Sequence, residues 1–119
     1  MKLQYGSNSP FVRKVAILIE ELGLTKRVER MPITLSPYDP GPAVTAINPL
    51  GKIPVLVVED GYALFDSIVI CEYLCSVALD TTWFPPTGPA RWTALRNNAI
   101  ADGMLEAGQS MRLESLRPE

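Results

Sequence analysis

The first residues with the types needed for chemistry lie at the start of a predicted helix. Ser9 followed by Pro10 is typical of a helix start, since a serine hydroxyl caps the helix and proline suits its first position. Unpaired N–H groups and the positive dipole end make a helix start favourable for a thiolate. The segment Ser9–Val12 has no C-x-x-C cysteines, so the thiolate would come from a bound small molecule, with the Ser9 hydroxyl as hydrogen-bond donor. The alternative is that Ser9 only caps the helix.

The second candidate is the Ile53–Pro54 pair, which follows a turn and opens an apolar strand. Proline in this place is a candidate for a cis peptide bond, which would turn the backbone N–H and C=O of Ile53 outward. Free backbone groups pair with an extended peptide as an added strand does, and the tripeptide glutathione is such a ligand. The alternative is a trans proline at the entrance to an edge strand.

The third candidate is Asp66-Ser67, at the start of another predicted helix. The hydroxyl and N–H of Ser67 can be presented to a carboxylate at the positive helix end, while Asp66 can receive an α-amino group. Together the two residues match the zwitterionic end of a γ-glutamyl group. The alternative is a simple N-cap.

The elements that must position these residues follow from apolar periodicity and turn signals. In chain order they are a strand at 2–5, a helix from Ser9 to Gly23, a strand at 28–32, a loop at 34–42, a weak helix to about Ile47, a strand at 53–58, a strand at 62–65 and a helix from Asp66. A helix between two strands implies parallel pairing, and the tight turn at Glu59–Gly61 implies an antiparallel hairpin. The expected fold class is α/β: a thioredoxin-like mixed four-stranded sheet with flanking helices, followed by the start of an all-α domain.

The sequence after residue 79 predicts a linker followed by one long helix. Residues 1–79 form the predicted thioredoxin-like domain, 80–89 a linker rich in proline, and 90–119 a single helix. Apolar residues lie on more than one side of that helix, which favours contact with several neighbours.

Composition narrows the classes of partner. The 119 residues are 47% hydrophobic and carry a formal charge of −2 without a basic run, which argues against nucleic acid and anionic membranes as partners. No apolar run approaches the roughly 20 residues of a membrane span, and no secretory signal is evident, so a cytoplasmic protein is expected. There is no histidine, and Cys71 and Cys75 are the only cysteines. We therefore expect no metal site and two cysteines that fill the core or the groove.

Taken in order, these motifs resemble the bacterial glutathione S-transferase family. The resemblance rests on SPFVRK from Ser9, NPLGKIPVL from Asn48, FDSI from Phe65 and EYL from Glu72. It spans residues 1–79 and continues into Ala90–Gly108, where Ala101–Gly108 resembles the first helix of that family's C-terminal helical domain.

The resemblance implies a role for each candidate residue. Ser9 would activate the thiol, Ile53 would bind the cysteinyl part through its backbone next to the cis Pro54, and Asp66 and Ser67 would hold the γ-glutamyl end. Three further positions are implied near the ligand: Phe11 and Lys52, the latter at the glycine carboxylate, and Asp102, which corresponds to an aspartate that faces the cleft in relatives. Tyr5 is a further candidate because some classes use a tyrosine hydroxyl there; packing against the sheet is the favoured role.

The resemblance implies a glutathione transferase that takes glutathione as co-substrate and a small electrophile as second substrate, acts in detoxification and forms a homodimer. The alternatives are a non-catalytic glutathione-fold module for binding or assembly, and a glutathione-dependent isomerase. Family members normally carry several more helices than this chain.

Overall fold

The computed structural model describes residues 1–36 and 41–117. The elements are, in chain order, β1 Lys2–Tyr5, α1 Pro10–Glu21, β2 Glu29–Pro32, α2 Pro42–Thr45, β3 Val55–Val57, β4 Ala63–Leu64, α3 Ser67–Ala78 and α4 Gly88–Ser115. Part of the predicted 34–42 loop, residues 37–40, lies outside the described residues.

The four strands form one mixed sheet in the order β2-β1-β3-β4. β1 pairs with β2 in parallel, and both remaining pairs, β1 with β3 and β3 with β4, are antiparallel. This confirms the predicted thioredoxin-like arrangement. β3 is shorter than predicted because Ile53 and Pro54 precede the ladder, where proline has no N–H to donate.

The pairing brings three strand ends to the same end of the sheet. Gln4 of β1 lies opposite Val55, the first residue of β3. Leu64, the last residue of β4, lies opposite Leu56. The segments that follow β1, precede β3 and follow β4 therefore leave the sheet at one end, which we call the Tyr5 end.

Helices α1 and α3 pack against each other, and α3 also contacts β3. Helix α1 is amphipathic, and its buried face consists of Val12, Val15, Leu18 and Ile19. The inner face of α3 includes Ile70, Leu74 and both cysteines. Each fully buried aliphatic side chain stabilises the fold by about 1.5–3 kcal/mol. This core holds the starts of the two helices at fixed places.

The chain divides into two compact units, Met1–Asp80 and Thr81–Glu119. The second unit contains α4, which begins two residues before the predicted start at Ala90. No residue of α4 is buried, although its length of 28 residues includes several large apolar side chains. In the described part of the chain, no helix is both long enough and apolar enough to cross a membrane.

Candidate functional site

All three candidate segments of the first unit lie at the Tyr5 end of the sheet. Ser9 follows β1, Ile53 and Pro54 precede β3, and Asp66 and Ser67 follow β4. Their juxtaposition is a consequence of the strand directions, because the carboxyl ends of β1 and β4 and the amino end of β3 coincide.

Ser9 is the N-cap of α1. Its Oγ accepts a hydrogen bond from the Val12 N–H at 3.3 Å, and its own N–H donates to the Gly6 carbonyl at 3.1 Å. Because the hydroxyl is the acceptor in the cap, its proton remains available for another acceptor. The side chain is half-buried. Capping and donation to a ligand are therefore compatible at Ser9.

The peptide bond between Ile53 and Pro54 is cis. Within the described residues, no hydrogen bond engages the backbone N–H or C=O of Ile53. Pro54 is buried and Ile53 is half-buried. The backbone of Ile53 thus has the unpaired donor and acceptor that an extended peptide needs.

The turn before Ile53 is held by Asn48, a residue to which the sequence assigned no role beyond turn formation. The Asn48 Nδ2 donates to the Lys52 carbonyl at 2.8 Å, and the Leu50 N–H donates to Asn48 Oδ1 at 3.0 Å. The side chain is only 1% exposed. Lys52 itself is exposed, so its ammonium group faces solvent beside Ile53 in the chain. The Asn-Pro-Leu-Gly turn chemistry was the one signal that could have pointed to Asn48.

Asp66 is the N-cap of α3 and is joined to Phe65 by a cis peptide bond. Its Oδ1 accepts a hydrogen bond from the Ser67 N–H. The Ser67 Oγ is buried and has no hydrogen-bond partner within the described residues. In this structure the cap engages the Ser67 N–H, and the presentation of the Ser67 N–H and hydroxyl to a carboxylate stays a prediction.

The remaining candidates are Phe11, Tyr5 and Asp102. Phe11 is half-buried in the first turn of α1. Tyr5 ends β1, and the Arg30 guanidinium lies 5.5 Å from the centre of its ring. Asp102 is in the second unit, where its carboxylate accepts a hydrogen bond from Asn98 at 2.8 Å. The roles implied for these three residues stay predictions.

An open groove of about 320 Å³ lies between the end of β1, the outer side of α1 and β2. Its lining includes Tyr5, Arg13, Ile17 and Arg30, and Glu20 forms an ion pair with Arg30 at 2.7 Å. Ser9, Ile53, Asp66 and Ser67 do not line it. A peptide that binds the three candidate segments would therefore lie outside this groove.

Neither Cys71 nor Cys75 forms a disulfide with another described residue, and both are buried, which confirms that they fill the core. Burial raises the pKa of the Cys75 thiol, and the carboxylates of Asp80 and Glu72 raise that pKa further. Such a thiol is a poor nucleophile at neutral pH. Among the residues that the structure describes, no group of three or more histidine, cysteine or acidic side chains is placed to hold a metal ion.

The polar groups at the Tyr5 end are of the types that glutathione would need. A hydroxyl at a helix start suits a thiolate, an open backbone donor and acceptor suit the peptide, and an exposed carboxylate suits an ammonium group. The buried Ser67 hydroxyl, which has no hydrogen-bond partner among the described residues, suits a carboxylate at the start of α3.

Comparisons with known proteins identify the family to which the chain belongs. The family model described as "Glutathione S-transferase, N-terminal domain" matches residues 8–77. An uncharacterized GST-like protein of Escherichia coli K12, YibF, is 38% identical over 99% of this chain and 56% of its own length. A glutathione transferase family member from Pseudomonas fluorescens Pf-5, solved with bound glutathione, is 42% identical with a TM-score of 0.84. The alignment covers 89% of this chain and 52% of that one.

A glutathione S-transferase from Methylobacillus flagellatus KT, solved with glutathione bound, is 37% identical with a TM-score of 0.82. The alignment covers 99% of this chain and 56% of that one, so the chain spans about half the length of the relatives it matches. The match to the N-terminal domain covers more than half of the residues. The chain therefore belongs to the glutathione S-transferase family, and its first unit has the glutathione-binding thioredoxin-like fold of that family.

Proposed function

We propose that this chain binds glutathione at the Tyr5 end of the sheet and activates its thiol as a glutathione transferase. The observation that carries the proposal is that the Ser9 hydroxyl, at the start of α1, and the backbone of Ile53, unpaired among the described residues, lie at the same end of the sheet. Two solved relatives with similar folds hold glutathione. In the proposed complex the cysteinyl backbone pairs with Ile53, next to the cis Pro54.

The ends of the tripeptide have matching groups. The γ-glutamyl ammonium group binds the exposed Asp66 carboxylate, and the γ-glutamyl carboxylate accepts from the Ser67 hydroxyl, which turns outward from its buried position to reach it. The Lys52 ammonium group binds the glycine carboxylate. Phe11, in the first turn of α1, completes the proposed contacts.

The chemical step is the attack of sulfur on an electrophile. The glutathione thiol releases its proton to solvent, and the Ser9 O–H donates to the resulting thiolate at the positive end of α1. Each unit by which the pKa of the bound thiol falls corresponds to about 1.4 kcal/mol of preferential thiolate stabilisation. The thiolate then forms a bond to carbon, and in a displacement the leaving group departs with its bonding electron pair. Cys75 takes no part, because its thiol is buried and its pKa is raised.

The wider setting of this activity is part of the same proposal. We assign residues 1–79 to the glutathione-binding domain, 80–89 to a linker and 90–119 to the first helix of the helical domain. We further propose a homodimer in the cytoplasm that acts on small electrophiles in detoxification.

Isothermal titration of the chain with glutathione tests binding, and conjugation of an aryl halide tests turnover. We expect binding in the millimolar range or tighter and conjugation above the solution rate. Binding without conjugation would assign the chain to the non-catalytic class of glutathione-fold modules. Absence of heat at millimolar glutathione would refute the proposed function.

A further inference from the structure

Asn48 holds the turn before Ile53 through both ends of its carboxamide. Its side chain is almost fully buried, at 1% exposure. The Nδ2 group donates to the Lys52 carbonyl at 2.8 Å, and Oδ1 accepts from the Leu50 N–H at 3.0 Å. The carboxamide therefore bridges the middle and the end of the turn.

The backbone of Asn48 ties the same turn to α2. Its N–H donates to the Val44 carbonyl at 2.8 Å, and its carbonyl accepts from the Gly51 N–H at 2.9 Å. Gly51 has a φ of +64°, a conformation that glycine adopts without strain and that brings the chain back toward Asn48. Val44 is itself fully buried. The turn is thus anchored to the core through Asn48.

The chemistry of the carboxamide suits this place better than any other side chain of its size. One arm must donate to a carbonyl and the other must accept from an N–H, and the asparagine side chain offers both. Aspartate would place a negative oxygen against the Lys52 carbonyl, while serine can accept from the Leu50 N–H but is too short to reach Lys52.

We propose that Asn48 is a positioning residue of the glutathione site. By holding the Lys52 carbonyl, it fixes the peptide unit that carries the N–H of Ile53 and the direction in which the Lys52 side chain leaves the turn. Asn48 touches no ligand itself, since its side chain is buried under the turn. This inference rests on the proposed function, because its consequence is the affinity for glutathione.

Two variants test the inference by removing the same hydrogen bond in different ways. Asn48→Asp and Asn48→Ser both keep an acceptor for the Leu50 N–H and both lose the donor to the Lys52 carbonyl. Asn48→Ser is neutral, so it serves where the buried charge of Asn48→Asp prevents folding. Asn97→Ser, at an exposed position of α4, is the matched control for the same chemical change.

The measurements are isothermal titration with glutathione and the amide NMR signal of Ile53 in the free protein, both well below the melting temperature. We expect the Asn48 variants to bind glutathione about tenfold more weakly, as the loss of one positioning hydrogen bond implies. Their Ile53 signal should move, and Asn97→Ser should match the parent chain in both measurements. A purely structural role would lower the melting temperature and leave the dissociation constant of the folded protein unchanged.

The outcomes separate this inference from the proposed function. If the parent chain binds glutathione and a folded Asn48→Ser binds it equally well, the positioning role is refuted and the proposed function stands. If the parent chain does not bind glutathione, the proposed function fails, and the positioning role that rests on it fails too.

Discussion

Gly6 and Ile53 lie against each other at the Tyr5 end of the sheet. A β-carbon built on Gly6 would lie 2.6 Å from Cδ1 of Ile53, and the next nearest atom, the carbonyl oxygen of Ile33, would be 3.6 Å away. The carbonyl of Gly6 also accepts the N–H of Ser9. Gly6 is therefore the point at which the loop that carries Ser9 contacts Ile53.

Gly6→Ala should weaken glutathione binding by moving Ile53. The new methyl group cannot occupy a place 2.6 Å from Cδ1, so the end of the Ile53 side chain has to turn aside, in the residue whose backbone is proposed to pair with the peptide. We expect about a tenfold rise in the dissociation constant for glutathione, measured by isothermal titration.

A second substitution provides the control for Gly6→Ala. Ile53→Val removes Cδ1 and leaves the backbone groups in place, so the double variant Gly6→Ala/Ile53→Val should recover affinity to within about threefold of Ile53→Val alone. If the double variant is as weak as Gly6→Ala, the contact between the two residues does not set the geometry of the site.

Ser9→Ala should affect both stability and thiol activation. Loss of the cap to the Val12 N–H should lower the free energy of unfolding in urea by about 1 kcal/mol. Loss of the donor should raise the pKa of bound glutathione, measured from the ultraviolet absorbance of its thiolate against pH. Ser9→Thr, which keeps the hydroxyl and the capping oxygen, is the control. A bound thiol with the same pKa in Ser9→Ala and the parent chain would remove Ser9 from the mechanism.

Asp66→Asn should remove the negative charge at the start of α3 and keep the N-cap of that helix. Asparagine caps a helix as well as aspartate does, so the free energy of unfolding should change by less than about 0.5 kcal/mol. The ammonium group of the γ-glutamyl end loses its charged partner, and affinity for glutathione should fall about tenfold or more.

The matched control for Asp66→Asn is Asp60→Asn. Asp60 lies in the exposed β3–β4 turn, at the opposite end of the sheet from the Tyr5 end. This variant makes the same change in net charge, and its titration should match that of the parent chain. Equal losses of affinity in both variants would indicate a general effect of charge and contradict a specific contact with Asp66.

The raised pKa of the Cys75 thiol predicts that the folded chain becomes less stable at alkaline pH. In the unfolded chain its thiol has an ordinary pKa of about 8.5, whereas burial first and the carboxylates of Asp80 and Glu72 second raise the pKa in the folded chain. Between the two values the unfolded chain has released a proton that the folded chain keeps. The free energy of unfolding therefore falls as pH rises through this window, by at most about 1.4 kcal/mol per pH unit from this group.

Cys75→Ala should remove that part of the alkaline decline. The variant starts from a lower stability because it leaves a small cavity, so the readout is the slope of the free energy of unfolding against pH. Urea unfolding from about pH 8 to pH 10 should give a shallower decline for the variant. If the free energy of unfolding falls equally steeply with pH in both proteins, the Cys75 thiol is not the cause of the decline.

The sequence was sufficient where one local pattern decided the structure. The serine–proline and aspartate–serine starts predicted α1 and α3, and alternating turns and apolar runs predicted the mixed sheet. The predicted start of α4 is too late. Gly88 and Pro89 are typical linker residues, but proline is also tolerated in the first turn of a helix.

Features that depend on packing could not be read from the sequence. The cis bond before Asp66 has no proline to signal it, and the burial of the Ser67 hydroxyl depends on how α3 packs. The contact of Gly6 with Ile53 joins residues 47 positions apart in sequence, through the pairing of β1 with β3. The sequence therefore predicted which residues are candidates and on which elements they lie. It did not predict which other residues they contact.

The location of bound glutathione is tested most directly by two-dimensional amide NMR of the full chain during a titration with glutathione. Binding at the proposed site should give saturable shifts concentrated at Ser9, Ile53 and Ser67, in the three segments that leave the Tyr5 end of the sheet. Shifts confined to the groove beside Tyr5, Arg13 and Ile17, or no shifts at millimolar glutathione, would contradict it.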